Sequence, residues 1–355
     1  MKTAEFDYRL PPDLIAQTPV EPRDASRLLV VDRRSGALSH RRFWDLPEYL
    51  QAGDLLVFNE SRVIPARLFA RKPTGGRVEL LLLRVREEDL WEALARGQGL
   101  RPGTRLTLLD GPAGQPVGAH AEIVGQASSE ARAPFLVRFS EPALTLAERI
   151  GETPLPPYIH QPLTDAERYQ TVYARTPGSA AAPTAGLHFT PRLLTQLAEM
   201  GVRSAFVTLH VGLDTFRPIE EEEVEAHQIH QEYAALPASV AELVNATRSA
   251  GRRVIAVGTT SVRVLETAAR LAQDVGRSGA GPVVVPFDGF TDLYITPGYS
   301  FRAVDALVTN FHLPRSTLLA LVAAFAGKET MERAYAEAIA QRYRFYSFGD
   351  AMLIL

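Results

Sequence analysis

Residues 190–212 read TPRLLTQLAEMGVRSAFVTLHVG. Thr190 is a side-chain cap. Pro191 suits a first helical position, where its missing N–H would be unpaired anyway, and Gly201 can take the left-handed turn past the end. The spacing predicts a helix up to Met200 and a strand over 202–211. The unit recurs downstream. PASVAELVNATRSAG (237–251) predicts a helix, RRVIAVG (252–258) a strand and TSVRVLETAARLAQ (260–273) a helix. DLYIT (292–296) and AVDALVTN (303–310) predict strands, and PRSTLLALVAAFAG (314–327) a nearly all-apolar helix. Such alternation argues for an α/β layer, a mixed sheet with flanking helices. GDLLVFN (53–59) is apolar enough to join that sheet from the N-terminal side.

Between these parts the pattern changes. VELLLLRV (78–85), LWEALA (90–95), RLTLLD (105–110), HAEIV (120–124) and FLVRF (135–139) are short apolar runs with no helical period. Gly75-Gly76, Pro102-Gly103 and Gly111-Pro112 separate them, which reads as a small antiparallel barrel or sandwich. The expected organisation is an α/β domain over 1–70 and 151–355, interrupted by an all-β, six-stranded barrel-like insertion over 71–150.

Composition bounds the chemistry. The 355 residues are 46% hydrophobic and 22% charged, so the chain is not disordered, and Cys is absent. That removes thiol nucleophiles, Cys-ligated zinc and iron–sulfur clusters. The opening MKTAEFDYRLPPDL lacks the apolar stretch of a secretory signal, and the longest apolar run, Leu318 to Ala326, is too short to span a bilayer, so a cytoplasmic location is expected. The net charge of −3 hides segregation. Residues 23–42 hold six Arg against Asp24 and Asp32, residues 62–86 seven Lys/Arg against Glu79, and residues 220–225 five Glu. Segregated patches fit a protein that meets a polyanion on one face, and equally fit solvated surface.

Four apolar strands end abruptly in polar clusters: Asn59-Glu60-Ser61-Arg62, His210-Val211-Gly212, Gly258-Thr259-Thr260-Ser261 with Arg263 one turn on, and Thr309-Asn310-Phe311-His312. One such ending is an ordinary turn or cap. Four in strands of one sheet point to a shared pocket, because ligands in open α/β sheets collect beyond the carboxyl ends of the strands. No Gly-Lys-Ser/Thr follows Gly258, no G-x-G-x-x-G turn is present, and no serine stands in a nucleophile elbow. His227 and His230 suggest a metal only weakly, since H-E-x-x-H is missing and no third ligand is evident; no metal is expected. His188, just before the Thr190 cap, fits a buried hydrogen-bonded role as well as a catalytic one.

Several longer motifs carry a resemblance. Ala181-Ala-Pro-Thr-Ala-Gly-Leu-His-Phe-Thr190, His210-Val-Gly, Val257-Gly-Thr-Thr-Ser-Val-Arg263, Thr296-Pro-Gly-Tyr299, Asp305-Ala-Leu-Val-Thr-Asn-Phe-His-Leu-Pro314 and Tyr346-Ser-Phe-Gly-Asp-Ala-Met-Leu353 are among them. Leu14-Ile-Ala-Gln-Thr-Pro19, Asp24-Ala-Ser-Arg-Leu28 and Arg62-Val-Ile-Pro-Ala-Arg67 agree. The chain resembles the S-adenosylmethionine:tRNA ribosyltransferase-isomerases of queuosine biosynthesis from end to end. The resemblance implies an α/β domain with an inserted β-barrel. It also implies transfer and rearrangement of the ribosyl part of S-adenosylmethionine onto 7-aminomethyl-7-deazaguanine at the wobble position of tRNAs with a GUN anticodon. The products are epoxyqueuosine-tRNA, adenine and L-methionine. S-adenosylmethionine is then a consumed substrate, with no cofactor and no metal, and the chain is expected to be a monomer without membrane association.

That chemistry makes demands. The sulfonium acidifies the neighbouring ribose carbon, so a base can take a proton there. Adenine needs an acid or hydrogen-bond donor to leave, and the amine must be neutral to attack. His188, His210 and His312 are the candidate acid/base groups, on the reasoning that imidazole titrates near working pH. Asn59, Thr259, Thr260, Ser261 and Asn310 are candidates for positioning, and Arg263 for a ribose or carboxylate. Arg62, Arg67, Arg342 and Arg344 are candidates for tRNA phosphates, with Tyr343 and Tyr346 stacking near the anticodon. The chain departs from the family pattern at Glu60, at Asp214 and at Gly97-Gln98-Gly99. Two rivals remain, an RNA methyltransferase and a non-catalytic RNA-binding protein, and release of adenine separates them.

Overall fold

The structure is a computed structural model, and it describes residues 1–128, 133–163, 165–212, 218–275 and 281–355. Asp214 lies outside the described residues. Seventeen strands and six α-helices occur among the described residues. In chain order the first strands are β1 (Arg27–Val31), β2 (Leu38–Arg42), β3 (Leu55–Asn59) and β4 (Ser61–Val63). Next come β5 (Arg67–Arg71), β6 (Arg77–Val85), β7 (Leu90–Arg96), β8 (Thr104–Leu109), β9 (Pro116–Gln126) and β10 (Phe135–Phe139), then helix α1 (Ala143–Ile150) and β11 (Thr176–Ser179). The rest alternates: α2 (Pro191–Glu199), β12 (Arg203–Leu209), β13 (Glu232–Leu236), α3 (Ala238–Ser249), β14 (Val254–Val257), α4 (Thr259–Val275) and β15 (Phe287–Thr291). It ends with β16 (Ala306–Asn310), α5 (Thr317–Ala326), α6 (Lys328–Ala340) and β17 (Ala351–Ile354). Two compact units result: Met1–Ser61, Pro156–Thr176 and Ala182–Leu355 in one, Arg62–Leu155 and Pro177–Ala181 in the other.

The larger unit is built on a nine-stranded mixed sheet in the order β15-β13-β12-β3-β14-β16-β17-β1-β2. Strands β3, β14 and β16 are buried at every position, which is why they read as continuous apolar runs instead of alternating ones. Strand β3 pairs in parallel with β12 and with β14, and β14 pairs in parallel with β16. Their carboxyl ends therefore share one edge of the sheet. Strand β17 runs against β16 and with β1.

Helix α2 starts as its sequence dictates. Thr190 Oγ1 accepts from Leu193 N at 3.2 Å, and Gly201 has φ +82°. Its Leu193 and Leu197, one turn apart, pack into a core with Phe43, Phe58, Phe189, Val257 and Val308. Helix α5 is covered almost all round, as its all-apolar sequence requires. One expectation is corrected. The strand is Phe287–Thr291, paired to β13, and 292–295 has no ladder partner, so DLYIT is not a strand. The pairing segment contains Gly289 and exposes alternate residues, so its apolar signal is weaker than that of the coil after it.

The smaller unit is a closed barrel in the order β10-β7-β6-β5-β8-β9, with antiparallel neighbours throughout. Alternate residues such as Leu68, Leu80, Leu106, Ile123 and Val137 fill its interior, and closure leaves no edge strand to aggregate.

Candidate active site

The β3 tip is a clamp. Asn59 Nδ2 donates to the Leu209 carbonyl at 2.9 Å, while Oδ1 accepts from Leu209 N and Ser61 N, each at 3.1 Å. Ser61 Oγ also donates to the Leu209 carbonyl, at 2.7 Å. The next residue, His210, stacks on Tyr233 with centroids 5.3 Å apart, and its Nδ1 lies 3.3 Å from Ser61 Oγ. Because the Ser61 proton goes to Leu209, Nδ1 must carry the imidazole proton and donate it to Ser61. Asn59 is fully buried, and the three bonds of its amide hold the β12 tip and Ser61 in place.

The β14 and β16 tips open onto a cleft of about 630 Å³, its mouth included. Gly258 takes φ +90°, which lets the chain turn from β14 into α4 and brings Thr259 and Thr260 to the wall. Ser261 is turned inward, its hydroxyl donating to the Val257 carbonyl at 2.8 Å. Strand β16 contributes Thr309, Asn310 and, just beyond, His312. Thr184, Tyr158, Ser316, Tyr346 and Ser347 complete the polar part of the wall. No side chain lining this cleft is an Asp, Glu, Lys or Arg.

Asn310 connects the cleft to His188. Its Oδ1 accepts from Thr184 Oγ1 at 3.2 Å, and its Nδ2 donates to the Tyr346 carbonyl at 3.1 Å and to His188 Nε2 at 3.2 Å. His188 Nδ1 then donates to Ser26 Oγ at 2.7 Å. The ring is stacked on Phe43, with centroids 4.9 Å apart, and stands behind Asn310 instead of in the wall. It borders a smaller cavity with Arg23, Arg168 and Phe348.

Electrostatics revise one expectation. Burial, assisted by Arg344 and Arg23, pushes His188 down to about 3. Burial alone pushes His312 to about 3 and His210 to about 4. These imidazoles do not titrate near pH 7; they are neutral there, as desolvation of a cation demands. His312 faces the cleft with Nε2 2.7 Å from Thr309 Oγ1. Arg263 is buried outside the cleft wall, where Glu232 neutralises it and the Leu293 carbonyl accepts from Nε at 3.1 Å. The second Glu232 oxygen accepts from Gly212 N at 2.8 Å, so Arg263 supports the His210–Gly212 tip.

A family model described as a queuosine biosynthesis protein matches residues 3–354. The chain belongs to that family. It is 55% identical to the S-adenosylmethionine:tRNA ribosyltransferase-isomerase of Symbiobacterium thermophilum, covering all of both chains. It is 56% identical to the Thermus thermophilus protein of the same name, covering 99% of this chain and 98% of that one. The crystal structure of S-adenosylmethionine tRNA ribosyltransferase from Thermotoga maritima aligns with a TM-score of 0.54 at 41% identity, over 99% of this chain and 100% of that one.

In this queuosine biosynthesis family member, Thr259, Thr260, Asn310, His312 and Tyr346 share one cleft, with His188 one hydrogen bond behind it. Asn59, His210, Ser261 and Arg263 are not among the residues that line it. Arg62 and Arg67 belong to the barrel unit, where Arg67 pairs with Glu79 at 3.2 Å. Arg342 pairs with Asp13 at 2.6 Å, and Arg344 donates to the Thr18 carbonyl. Tyr343 is fully buried beneath Arg27 and hydrogen-bonded to His40, so it is not a stacking platform for a base. Glu60 is paired with Arg175 at 3.2 Å. Among the described residues no group of three or more His, Asp or Glu could hold a metal ion, and His227 is instead paired with Glu221 at 2.9 Å. No helix described is long and apolar enough to cross a membrane. Sequence reading missed Tyr158, Thr184, Ser347, Ser26 and Glu232. Thr184, Ser347 and Ser26 stood inside quoted motifs. Tyr158 and Glu232 carried no signal, because only the fold brings them to the tips.

Proposed function

We propose that this chain transfers and isomerises the ribosyl moiety of S-adenosylmethionine onto 7-aminomethyl-7-deazaguanine at the wobble position of tRNA with a GUN anticodon, giving epoxyqueuosine-tRNA, adenine and L-methionine. The observation that carries this reading is the uncharged, aromatic-walled cleft at the carboxyl ends of parallel strands. A sulfonium is a cation, so it is favoured by the rings of Tyr158 and Tyr346 in the wall and would be repelled by an arginine. The start of α4, with Thr259 and Thr260, supplies N–H and hydroxyl donors for the carboxylate or ribose.

His312, unprotonated and in the wall, is the group that takes the proton from the carbon beside the sulfonium. His188 and Asn310 position that side of the cleft, and His210 with Ser61 the other. Arg62, Arg67, Arg342 and Arg344 serve tRNA phosphates. The enzyme works in the cytoplasm as a monomer, without cofactor or metal. Incubation with S-adenosylmethionine and precursor-bearing tRNA, followed by chromatography of the small molecules, tests the reading. Equimolar adenine and methionine are expected. S-adenosylhomocysteine in their place would make the chain a methyltransferase, and no turnover with salt-sensitive binding would make it a binding protein.

A further inference from the structure

Adenine cannot leave the ribose easily as an anion, and the cleft offers few acids. Its histidine, His312, is uncharged at working pH. Tyr158 shares a hydrogen bond with Ser347, their hydroxyl oxygens 2.7 Å apart, and its deeper burial raises its phenol further above the usual range than that of Tyr346. The threonine and serine hydroxyls do not ionise in the accessible range. That leaves Tyr346, whose backbone is unusual. Its φ is +69°, a conformation that a bulky side chain adopts only when its surroundings enforce it. They do so here: Asn310 Nδ2 and Gly349 N both donate to its carbonyl, at 3.1 and 2.9 Å, and its own N–H donates to the Phe311 carbonyl at 3.2 Å. The constraint sets the ring in the cleft wall, 4.8 Å from the Tyr158 ring.

A second tyrosine completes the arrangement. The Tyr8 hydroxyl donates to the His312 carbonyl, and its nearness lowers the pKa of the Tyr346 phenol against the larger, opposing effect of burial. Burial still holds Tyr346 up at about 12, so its proton is present at neutral pH and becomes transferable only as charge builds on a neighbour.

We propose that Tyr346 is the acid of the reaction, giving its phenolic proton to a purine nitrogen as the bond between ribose and adenine breaks. This rests on the function proposed above. The bonding pair leaves with the purine, the proton follows it from the phenol, and Tyr346 remains as a phenolate. Tyr8 turns its hydroxyl from the His312 carbonyl to that phenolate. The aminomethyl nitrogen, which sheds a proton as its new C–N bond forms, restores the phenol. Tyr346 is thus a catalytic residue and Tyr8 a positioning residue.

The test compares two leaving groups. With S-adenosylmethionine, Tyr346→Phe should lower kcat for adenine release by about 10²–10⁴ while KM changes little. With the analogue carrying 8-azaadenine, which departs with less need of a proton, the same variant should lose less than about tenfold. Tyr8→Phe should show the same pattern at smaller amplitude, and it carries the test if Tyr346→Phe does not fold. An equal loss with both leaving groups would reduce Tyr346 to a packing role and overturn the proposal, as would unchanged turnover. Failure of the wild-type protein to release adenine at all would overturn the underlying function instead.

Discussion

Acidification should unfold the sheet unit over an unusually narrow range, and the three buried histidines set how narrow. An ordinary imidazole titrates near 6.5, whereas His188 and His312 are held at about 3 and His210 at about 4 in the folded chain. Below 6.5 the unfolded chain takes up three protons that the folded chain refuses, so the stability they permit is complete above pH 6.5 and is lost as pH falls. Each costs about 1.4 kcal/mol per pH unit, so the three together cost about 4 kcal/mol per unit and roughly 6 kcal/mol by pH 5. That equals the whole margin of many domains. Burial raises the carboxyls of Glu266 and Asp350, which act with the opposite sign and offset part of the loss once the pH reaches their range. Urea unfolding between about pH 5 and pH 7.5 measures the slope. Trp44 of the sheet unit serves as reporter once Trp91 of the barrel is replaced by Phe. His312→Gln should flatten the slope by about 1.4 kcal/mol per unit. Stability that stays level down to pH 5, or NMR signals of these three imidazoles titrating near 6.5, would refute the reasoning.

Other outcomes follow from single contacts. A Cβ on Gly186 would lie 2.0 Å from the Tyr173 hydroxyl oxygen, so Gly186→Ala should cost about 1–3 kcal/mol in thermal or urea unfolding. Adding Tyr173→Phe should recover part of that loss, since the deleted hydroxyl has no hydrogen-bond partner. Glu232→Gln strands the buried Arg263 cation and should cost about 3–5 kcal/mol, while the double change with Arg263→Met should restore most of it in the same assay. Arg342→Ala should weaken tRNA binding and lower the slope of log K against log salt by about one, and an unchanged slope would remove Arg342 from the RNA interface.

The frame of the molecule was legible because local chemistry and global packing agree. The Thr190 cap, Pro191 and Gly201 mark α2 as observed, and the unbroken apolar runs of β3, β14 and β16 identify strands covered on both faces. Four polar strand tips were legible for the same reason. The division of labour among them was not. Asn59 and Asn310 are the same residue type in the same setting, a polar end to an apolar strand. One spends its amide on the neighbouring strand and the other sits in a cleft wall, a distinction made by register with β12 and by the arrival of residues 182–185 and 346–347. Strand Phe287–Thr291 was displaced in the reading because ladder pairing to β13, not apolar content, defines it.

The histidines show most plainly why sequence stopped short. Imidazole in solution is a switch near neutrality, and two of them beside strand tips and one just before a helix cap suggest acid/base groups poised at working pH. The fold instead dries all three and fixes the protons of two: His188 passes its proton to Ser26 and His210 to Ser61. For a sulfonium substrate this has an electrostatic reason. A unit positive charge 4 Å from another costs about 4 kcal/mol at an effective dielectric constant of 20. A protonated His312 in the wall would repel the very cation the cleft has to hold. The same logic accounts for Arg263, which reaches the inner end of α4 only with Glu232 against it, and for the absence of Lys or Arg from the wall. In a cavity kept free of positive charge, proton donation at neutral pH falls to a neutral acid, and the phenols are the neutral acids this wall contains. The pH at which the fold fails and the identity of the proton donor are therefore two consequences of one cause, the burial that keeps these imidazoles uncharged.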